Sequence, residues 1–195
     1  IVRDAKRHRI EILPVDINKS GAKCIIQESK IRLGFMYIRD VGGKIINQII
    51  AERGNASYVS LEDFYLRTKL ERRVVENLIL AGAFDSPGYK KRELLWQLGI
   101  LEKRHPAELP LGFHESKVSL PDFTELEEMK IDYGVQGFPL KYHPMQVLRK
   151  GISRDGLLKS SEIAQLFSNT QVRMAGYGIT RQRPAAAKGF AFMTL

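Results

Sequence analysis

The sequence predicts a mainly α-helical protein with a short α/β piece at its N-terminal end and β-strands at its C-terminal end. Between residues 34 and 104, apolar residues recur at helical spacing in short runs, and turn residues separate the runs. Residues 10–33 and 171–195 instead hold β-branched residues in short runs interrupted by proline or glycine. A hydrophobic content of 44% in 195 residues is enough for one substantial core or several small ones.

Composition excludes several classes of protein. No apolar run approaches the roughly 18 residues of a membrane span. Cys24 is the single cysteine, so neither an internal disulfide nor a zinc finger can form. Lysine and arginine total 31 against 22 aspartate and glutamate, a net charge of +9. Most of this excess lies in the first half of the chain, where it favours a polyanionic partner, and we expect no membrane contact.

The N-terminal piece is predicted to hold one helix and two paired strands. Residues 1–9 are basic and compatible with a helix, whereas residues 10–18 alternate β-branched side chains around a proline and are predicted to be extended. After a turn at residues 18–21, residues 23–27 are predicted to form a strand that pairs with residues 31–33.

Short helices are predicted over the next part of the chain, because their apolar positions fall on one helical face. They are expected at residues 35–41, 45–54, 61–66, 74–81 and 89–104. Ser60 and Asp63 resemble a capping box at the start of the third of these helices. Three prolines make residues 105–123 a loop or linker, and an acidic helix follows at residues 124–133.

The strongest local signal is Val41-Gly42-Gly43-Lys44, which lies between two of the predicted helices. Glycine lets the backbone turn tightly and approach a ligand closely. The helix that begins here directs its free N–H groups and its positive dipole end at the turn, and Lys44 adds a charge that suits a phosphate group. The motif predicts a helix-hairpin-helix, which grips a nucleic-acid backbone without reading bases. A plain glycine turn between core helices is the alternative.

A second turn at residues 70–73 makes the predicted motif a tandem helix-hairpin-helix. This turn lacks glycine, so its own indication of a phosphate site is weaker, and its main role is expected to be the pseudo-symmetric partner that completes the core. The candidate DNA-binding residues of the two turns are Val41, Gly42, Gly43, Lys44, Arg72 and Arg73.

No constellation in the sequence predicts catalysis. The densest acidic cluster, which includes Glu128 and Asp132, lies on a helical stretch and is predicted to be a solvated helix face. The four histidines are dispersed without metal-ligand spacing, so no metal site is expected. No serine has the context of a nucleophile elbow. The sequence therefore predicts binding rather than chemistry.

Two strands are predicted at the C-terminal end, at residues 172–180 and 189–195, with a basic loop between them. Glycines in the first of them are typical of a strand that bends in a barrel. The chain begins with Ile1 rather than Met and ends within the second strand, so we expect it to be a piece of a longer protein.

Four blocks of sequence, in the same order, closely resemble the alpha subunits of bacterial DNA polymerase III, the C-family polymerases. They read RIEILPVDINKS (9–20), LGFMYIRDVGG (33–43), LERRVVENLILAGAFD (70–85) and GFPLKYHP (137–144). The resemblance implies a C-terminal fragment of such a polymerase. Its parts would be the end of the fingers region at residues 1–30, the tandem helix-hairpin-helix DNA-binding domain at 31–104, a helical connector at 105–168 and the truncated start of an OB-fold β-barrel at 169–195.

The resemblance also implies a function. The full-length protein would be a DNA-directed DNA polymerase, a nucleotidyltransferase of the bacterial cytoplasm, whose helix-hairpin-helix module holds double-stranded DNA behind the active site. The palm aspartates that bind Mg²⁺ lie upstream in the family and have no counterpart here, so this piece is expected to hold no cofactor and to be inactive alone. A sliding clamp and other replisome subunits are expected partners of the full-length protein. Gly43 stands where the family more often has an acidic residue.

The loop at residues 181–189 resembles that of the error-prone, damage-tolerant branch of the family more than the replicative one. In an OB-fold, Arg181, Arg183 and Lys188 would face single-stranded template, because grooves of this fold follow a charged backbone. A solvated loop is the alternative for these three charges.

Two other functions fit the same residues. A helix-hairpin-helix can target a DNA repair nuclease or ligase to its substrate, and a basic helical module can bind RNA or an acidic protein. A palm domain upstream in the full reading frame would favour the polymerase over the first of these.

Overall fold

The computed structural model of the protein describes residues 2–85, 89–103, 118–152, 156–178, 180–183 and 190–194. The chain divides into two units, residues 1–141 and residues 142–195. The domain boundaries expected after residues 30, 104 and 168 stay predictions. No helix in the described part of the chain is long and apolar enough to cross a membrane.

Helices dominate the described part of the first unit, and the predicted mainly α class is confirmed. The helices are α1 (Val2–Arg7), α2 (Gly43–Asn55), α3 (Leu61–Thr68), α4 (Arg72–Leu80), α5 (Lys91–Lys103) and α6 (Glu125–Gln136). The short strands that precede α2 are β1 (Ile12–Leu13), β2 (Ile25–Gln27) and β3 (Lys30–Arg32).

The strands of the first unit form one small sheet in the order β1-β3-β2. β2 and β3 pair antiparallel, as predicted, and β1 joins β3 in parallel. Only two residues of the predicted extended run at 10–18 are strand. The run ends early because Asp16 begins a turn, in which its carboxylate accepts the backbone N–H groups of Asn18 and Lys19 at 2.8 and 3.0 Å.

One hydrophobic core joins the N-terminal piece to the helices. Its fully buried side chains include Val15, Leu33, Phe35, Ile49, Phe64, Val75, Leu78, Ile79, Leu94 and Leu98. The ring of Phe64 meets those of Tyr58 and Phe84 edge-to-face, with centroids 4.9 and 5.3 Å apart. Because Val15 and Leu33 come from the N-terminal piece, that piece packs as part of the same core as the helices.

The helix predicted at residues 35–41 is wrong, since only Phe35–Tyr37 form a single 3-10 turn there. Two backbone N–H groups of this turn donate to the carbonyls of Gly21 and Ala22, at 3.0 and 3.1 Å, so the turn is held by the N-terminal segment. Asp40 then has a left-handed backbone with φ 64°, which stops any helix at this point. Apolar spacing alone does not reveal these two constraints.

Gly34 lies where the N-terminal segment crosses the backbone before the first hairpin. A Cβ atom at this position would lie 2.4 Å from the carbonyl carbon of Lys23 and 2.5 Å from the carbonyl oxygen of Ala22. Both neighbours are backbone atoms rather than flexible side chains. The close approach of the two segments therefore requires glycine here.

A hydrogen-bonded clasp fastens the N-terminal segment to α2 and to the loop before α3. The side chain of Asn18 accepts the N–H of Tyr58 at 2.8 Å and donates to its carbonyl at 2.9 Å. Arg53, near the end of α2, donates to the carbonyls of Ile17 and Ser20 at 3.1 and 2.9 Å. The clasp satisfies backbone groups that the core would otherwise leave unpaired.

Helix α6 begins with a full capping box. Thr124 accepts the N–H of Glu127 at 3.3 Å through its hydroxyl, and the Glu127 carboxylate accepts the N–H of Thr124 at 2.9 Å. The prediction of a solvated acidic face is wrong for Asp132, which is buried and accepts the N–H of Leu140 at 2.8 Å. Burial raises the pKa of Asp132, and this hydrogen bond opposes the rise.

The second unit is described by itself. Its elements are α7 (Pro144–Leu148), α8 (Ser160–Ile163), β4 (Thr180–Gln182) and β5 (Phe192–Thr194), and the two strands pair antiparallel. β5 lies within the predicted strand at 189–195. The strand predicted at 172–180 is wrong for most of its length. Of its described residues, only Thr180 belongs to the strand that pairs with β5, and Arg173 makes a single isolated bridge to Leu157. The start of an OB-fold stays a prediction.

Candidate nucleic-acid interface

The first hairpin, residues 41–44, presents an open helix N-terminus. Val41 is buried and anchors the turn in the core, whereas Gly42, Gly43 and Lys44 are exposed. The first backbone N–H of α2 to find a carbonyl is that of Ile46, which donates to Gly42 at 3.0 Å. Gly42 has no side chain to cap the helix, so within the described part of the chain the N–H groups of residues 43–45 remain available to an external acceptor.

The backbone conformation of this hairpin does not require its two glycines. Gly42 has φ −79°, a value that other residues adopt readily. A Cβ atom added to either Gly42 or Gly43 would meet nothing within 4 Å. The protein's own backbone therefore does not demand glycine here, and the benefit that remains is unobstructed access to the helix N-terminus from outside.

The second hairpin, residues 70–73, leads into α4 as the first leads into α2, but its side chains differ. Lys69 ends α3 with a left-handed backbone at φ 47°, and Glu71 is the N-cap of α4. Arg72 is paired within the protein: its Nε lies 2.7 Å from a Glu76 carboxylate oxygen, and its Nη1 contacts Glu102 of α5. The hydrogen bonds to Glu76 and then to Glu102 raise the pKa of Arg72.

The two hairpins are connected through Asp40. Its carboxylate oxygen Oδ2 lies 2.8 Å from Nε of Arg73 and accepts a hydrogen bond from Nδ2 of Asn77 at 3.2 Å. The same Asn77 amide donates to the Arg39 carbonyl at 3.0 Å. α4 thus holds the residues that lead into the first hairpin.

A groove of about 410 Å³ lies between the two hairpins. It is lined by Asp40, Lys44, Ile45, Gln48, Lys69, Leu70, Glu71, Arg73 and Val74. Lys44 and Lys69 are exposed, and neither has an ion-pair partner among the residues that the structure describes. The groove therefore brings together cations from both hairpins, as a nucleic-acid backbone requires.

Lys69 and Asp40 are two charged groove residues that the motif analysis missed. Lys69 precedes the second turn by one residue, and its position beside Lys44 depends on how α2 and α3 pack. Gln48 secures that packing, since its side chain donates to the carbonyl of Thr68 at 2.6 Å. A signal for Asp40 was present in the sequence, because aspartate before a glycine turn tolerates the left-handed conformation.

The predicted C-terminal contacts belong to the second unit. Arg181 lies on β4 and Arg183 follows it, and both side chains are exposed. Lys188 lies outside the described residues. In the described part of the chain, no three histidine, cysteine, aspartate or glutamate side chains gather as a metal site would require. The Mg²⁺ expectation concerns the palm of the full-length protein and is not tested by this chain.

Known proteins resemble this chain in the hairpin region and beyond it. A family model described as "Helix-hairpin-helix motif" matches residues 9–94. Error-prone DNA polymerase 1 of Rhizobium meliloti is 33% identical over 100% of the chain. The proteins named error-prone DNA polymerase from Alkalilimnicola ehrlichii and Corynebacterium glutamicum are 34% and 31% identical over 100% and 99% of it. From end to end, the chain is similar to error-prone DNA polymerases.

These matches confirm the resemblance to the alpha-type DNA polymerases and favour its error-prone branch. The helix-hairpin-helix match starts at residue 9, so it includes the N-terminal segment that shares the core. The chain spans about a fifth of the length of these curated relatives, 20%, 20% and 18%.

Proposed function

We propose that this chain is the part of an error-prone DNA polymerase that grips the backbone of double-stranded DNA, with the first hairpin as its main phosphate site. The observation that carries the proposal is the uncapped N-terminus of α2, where the first N–H groups of the helix and the neighbouring Lys44 have no partner among the residues that the structure describes. Amide groups and a positive helix dipole at one place favour a phosphate oxygen, and they carry no information about base sequence.

The contrast between the two hairpins supports a main site at the first. Glu71 places a carboxylate at the start of α4, and Arg72 is engaged by two carboxylates of the protein. A phosphate approaching the second hairpin would meet that negative charge. Lys69 is exposed on the groove side and adds to the positive potential that Lys44 creates.

The test is a binding titration with the 195-residue chain and fluorescent duplexes of two unrelated sequences, followed by anisotropy at several salt concentrations. We expect equal affinity for the two sequences and a steep loss of affinity with salt, because phosphate contacts release counterions. Lys44→Ala should lower the slope of log affinity against log salt by about 0.9, the value of one lost phosphate contact.

Lys19→Ala is the matched control. Lys19 is also exposed, but it lies beside the segment that Arg53 holds at the C-terminal end of α2. That end is roughly 18 Å from the first hairpin, beyond the screening length at physiological salt. The control should leave the slope unchanged. Strong discrimination between the two duplexes, or equal slopes for Lys44→Ala and the unchanged chain, would contradict the proposal.

The remaining roles are proposed for the full-length polymerase, which would act in the bacterial cytoplasm with Mg²⁺ at its palm and with a sliding clamp and other replisome subunits as partners. Single-stranded template would contact Arg181, Arg183 and Lys188. Changing all three to alanine in the full-length polymerase and titrating single-stranded DNA tests this contact. Unchanged affinity and salt dependence would leave these charges as a solvated loop.

A further inference from the structure

We propose that Asp40 is a positioning residue that ties the first hairpin to α4 and holds it in its phosphate-binding shape, with Arg73 and Asn77 as its partners. This inference rests on the proposed function of the first hairpin. It assigns Arg73 a different main role from a direct phosphate contact, because Arg73 would act through Asp40.

Asp40 and the preceding Arg39 contact side chains of α4 and a backbone carbonyl of α6. Its carboxylate lies 2.8 Å from Nε of Arg73 and accepts from Asn77 at 3.2 Å, and Asn77 also donates to the Arg39 carbonyl at 3.0 Å. The N–H of Arg39 donates to the carbonyl of Val135 in α6 at 2.8 Å. The two residues before the hairpin are therefore held from both sides.

The backbone of Asp40 needs such support. Its φ of 64° lies in the left-handed region, which aspartate adopts because its short polar side chain can make hydrogen bonds nearby. Val41 follows directly and is buried in the core, so the turn at Asp40 sets the direction in which residues 42–44 leave the core. Loss of the side-chain contacts would let this turn relax and spread the N–H groups at the start of α2.

Charge alone argues against an aspartate at this place. Asp40 lines the same groove as Lys44 and Lys69, and a carboxylate there repels an incoming phosphate. A positioning role explains the residue, because the contacts with Arg73 and Asn77 then offset the repulsion. Removing the charge of Asp40 should weaken duplex binding if Asp40 positions the hairpin. It should strengthen binding if Asp40 only repels the phosphate.

The test compares Asp40→Asn with Glu71→Gln in the 195-residue chain, using the duplex titration described above. Each substitution removes one negative charge from the same groove, and asparagine keeps the tolerance for a left-handed backbone. We expect Asp40→Asn to weaken binding about threefold or more, since it loses the ion pair with Arg73. Glu71→Gln, whose side chain makes no capping hydrogen bond, should bind as tightly as the unchanged chain or more tightly.

Arg73→Ala supplies an independent measurement. A positioning role predicts weaker binding with an unchanged salt slope, and no further loss when Arg73→Ala is combined with Asp40→Asn. Tighter binding by Asp40→Asn, or a slope lowered by about 0.9 in Arg73→Ala, would overturn the inference and make Arg73 a phosphate contact.

Failure of the proposed function would look different. In that case the unchanged chain would not bind duplex DNA, or Lys44→Ala would have no effect on its salt slope. Hydrogen exchange of the amides of Val41 and Ile46, which donate to the carbonyls of Ile38 and Gly42 on either side of the turn, would still test Asp40 without DNA. Faster exchange in Asp40→Asn and Arg73→Ala, with none in Glu71→Gln, supports the tie, and equal exchange in all three overturns it.

Discussion

The two hairpins each lead into a helix, but the charges at the start of the two helices differ. At the first, the helix begins with Gly42 as its cap and the neighbouring Lys44 is unpaired in the described structure. At the second, the helix begins with Glu71, and Arg72 is bound to Glu76 and Glu102. We therefore expect that a helix-hairpin-helix shape alone does not make a phosphate site, because the protein's own carboxylates can engage the cations and lie at the helix terminus.

The two hairpins also contribute differently to the hydrophobic core. Leu70, Val74 and Val75 of the second hairpin and its helix are buried, and α4 reaches across to Asp40. The second hairpin supplies packing and attachment, while the first supplies the exposed amide groups. The predictions below test this division of labour, beginning with the largest expected effect.

Gly34→Ala separates a glycine that the core requires from the glycines that face outward. Its Cβ would collide with the backbone of Lys23, so we expect the free energy of unfolding to fall by about 2–3 kcal/mol. Gly43→Ala is the control: its Cβ meets nothing, and it should leave the stability equal or slightly higher. Chemical denaturation of both variants measures the contrast. Equal losses would mean that the first hairpin is as sterically constrained as the core.

Gly42→Asp gives the first hairpin an acidic cap like that of the second. An aspartate N-cap accepts from the first N–H groups of its own helix, so α2 should become slightly more stable. The same carboxylate occupies and repels the place of the phosphate, so duplex affinity should fall about tenfold or more. Anisotropy and thermal melting of one preparation check both results. Unchanged affinity in a folded variant would show that the cradle of amide groups is not the binding site.

Arg72→Gln tests whether the second hairpin binds phosphate at all. The substitution removes the ion pairs with Glu76 and Glu102, so we expect a small fall in melting temperature. The salt slope of duplex binding should remain that of the unchanged chain, because Arg72 releases no counterion from DNA. A salt slope lowered as much as in Lys44→Ala would mean that the second hairpin also contacts a phosphate.

The smallest effect concerns α6, which supports the first hairpin from behind. Hydrogen bonds from the backbone and side chain of Thr124, then from Arg92, lower the pKa of Glu127 below its ordinary 4.5. Its ionised form therefore stabilises the folded chain above that value, and this contribution is lost as the pH falls through the lowered pKa. Glu127→Gln should melt slightly lower than the unchanged chain at pH 7. The difference in melting temperature between the two proteins should disappear as the pH is lowered. A difference that does not depend on pH would contradict the role of the charge.

Sequence patterns were sufficient to predict the helices that follow the two hairpins and the pairing of β2 with β3, but not the 3-10 turn before the first hairpin. They also identified Ser60 as a helix cap, and the hydroxyl of Ser60 accepts the N–H of Asp63 at 3.0 Å. These features depend on neighbours within a few residues. The sequence did not reveal that Glu102, 30 residues away, engages Arg72, or that Asp40 meets Arg73, because such ion pairs exist only after the helices pack.

The glycines and the C-terminal strands illustrate the same limit. Gly42 and Gly43 were correctly singled out, but the expected reason, a backbone too tight for other residues, does not hold at their observed geometry. The glycine that sterics does require, Gly34, carries no local signal, since its obstacle is the backbone of Lys23. At the other end, a strand pattern at residues 172–180 could not say which residues would find a partner strand.

The clasp formed by Asn18 and Arg53 attaches the N-terminal segment to the loop before α3 and to the C-terminal end of α2. Two hydrogen bonds at Asn18 and two more from Arg53 hold this segment. Arg53 lies on the same rigid helix that begins at the first hairpin. Residues 14–20 and the first hairpin are therefore attached to opposite ends of one helix.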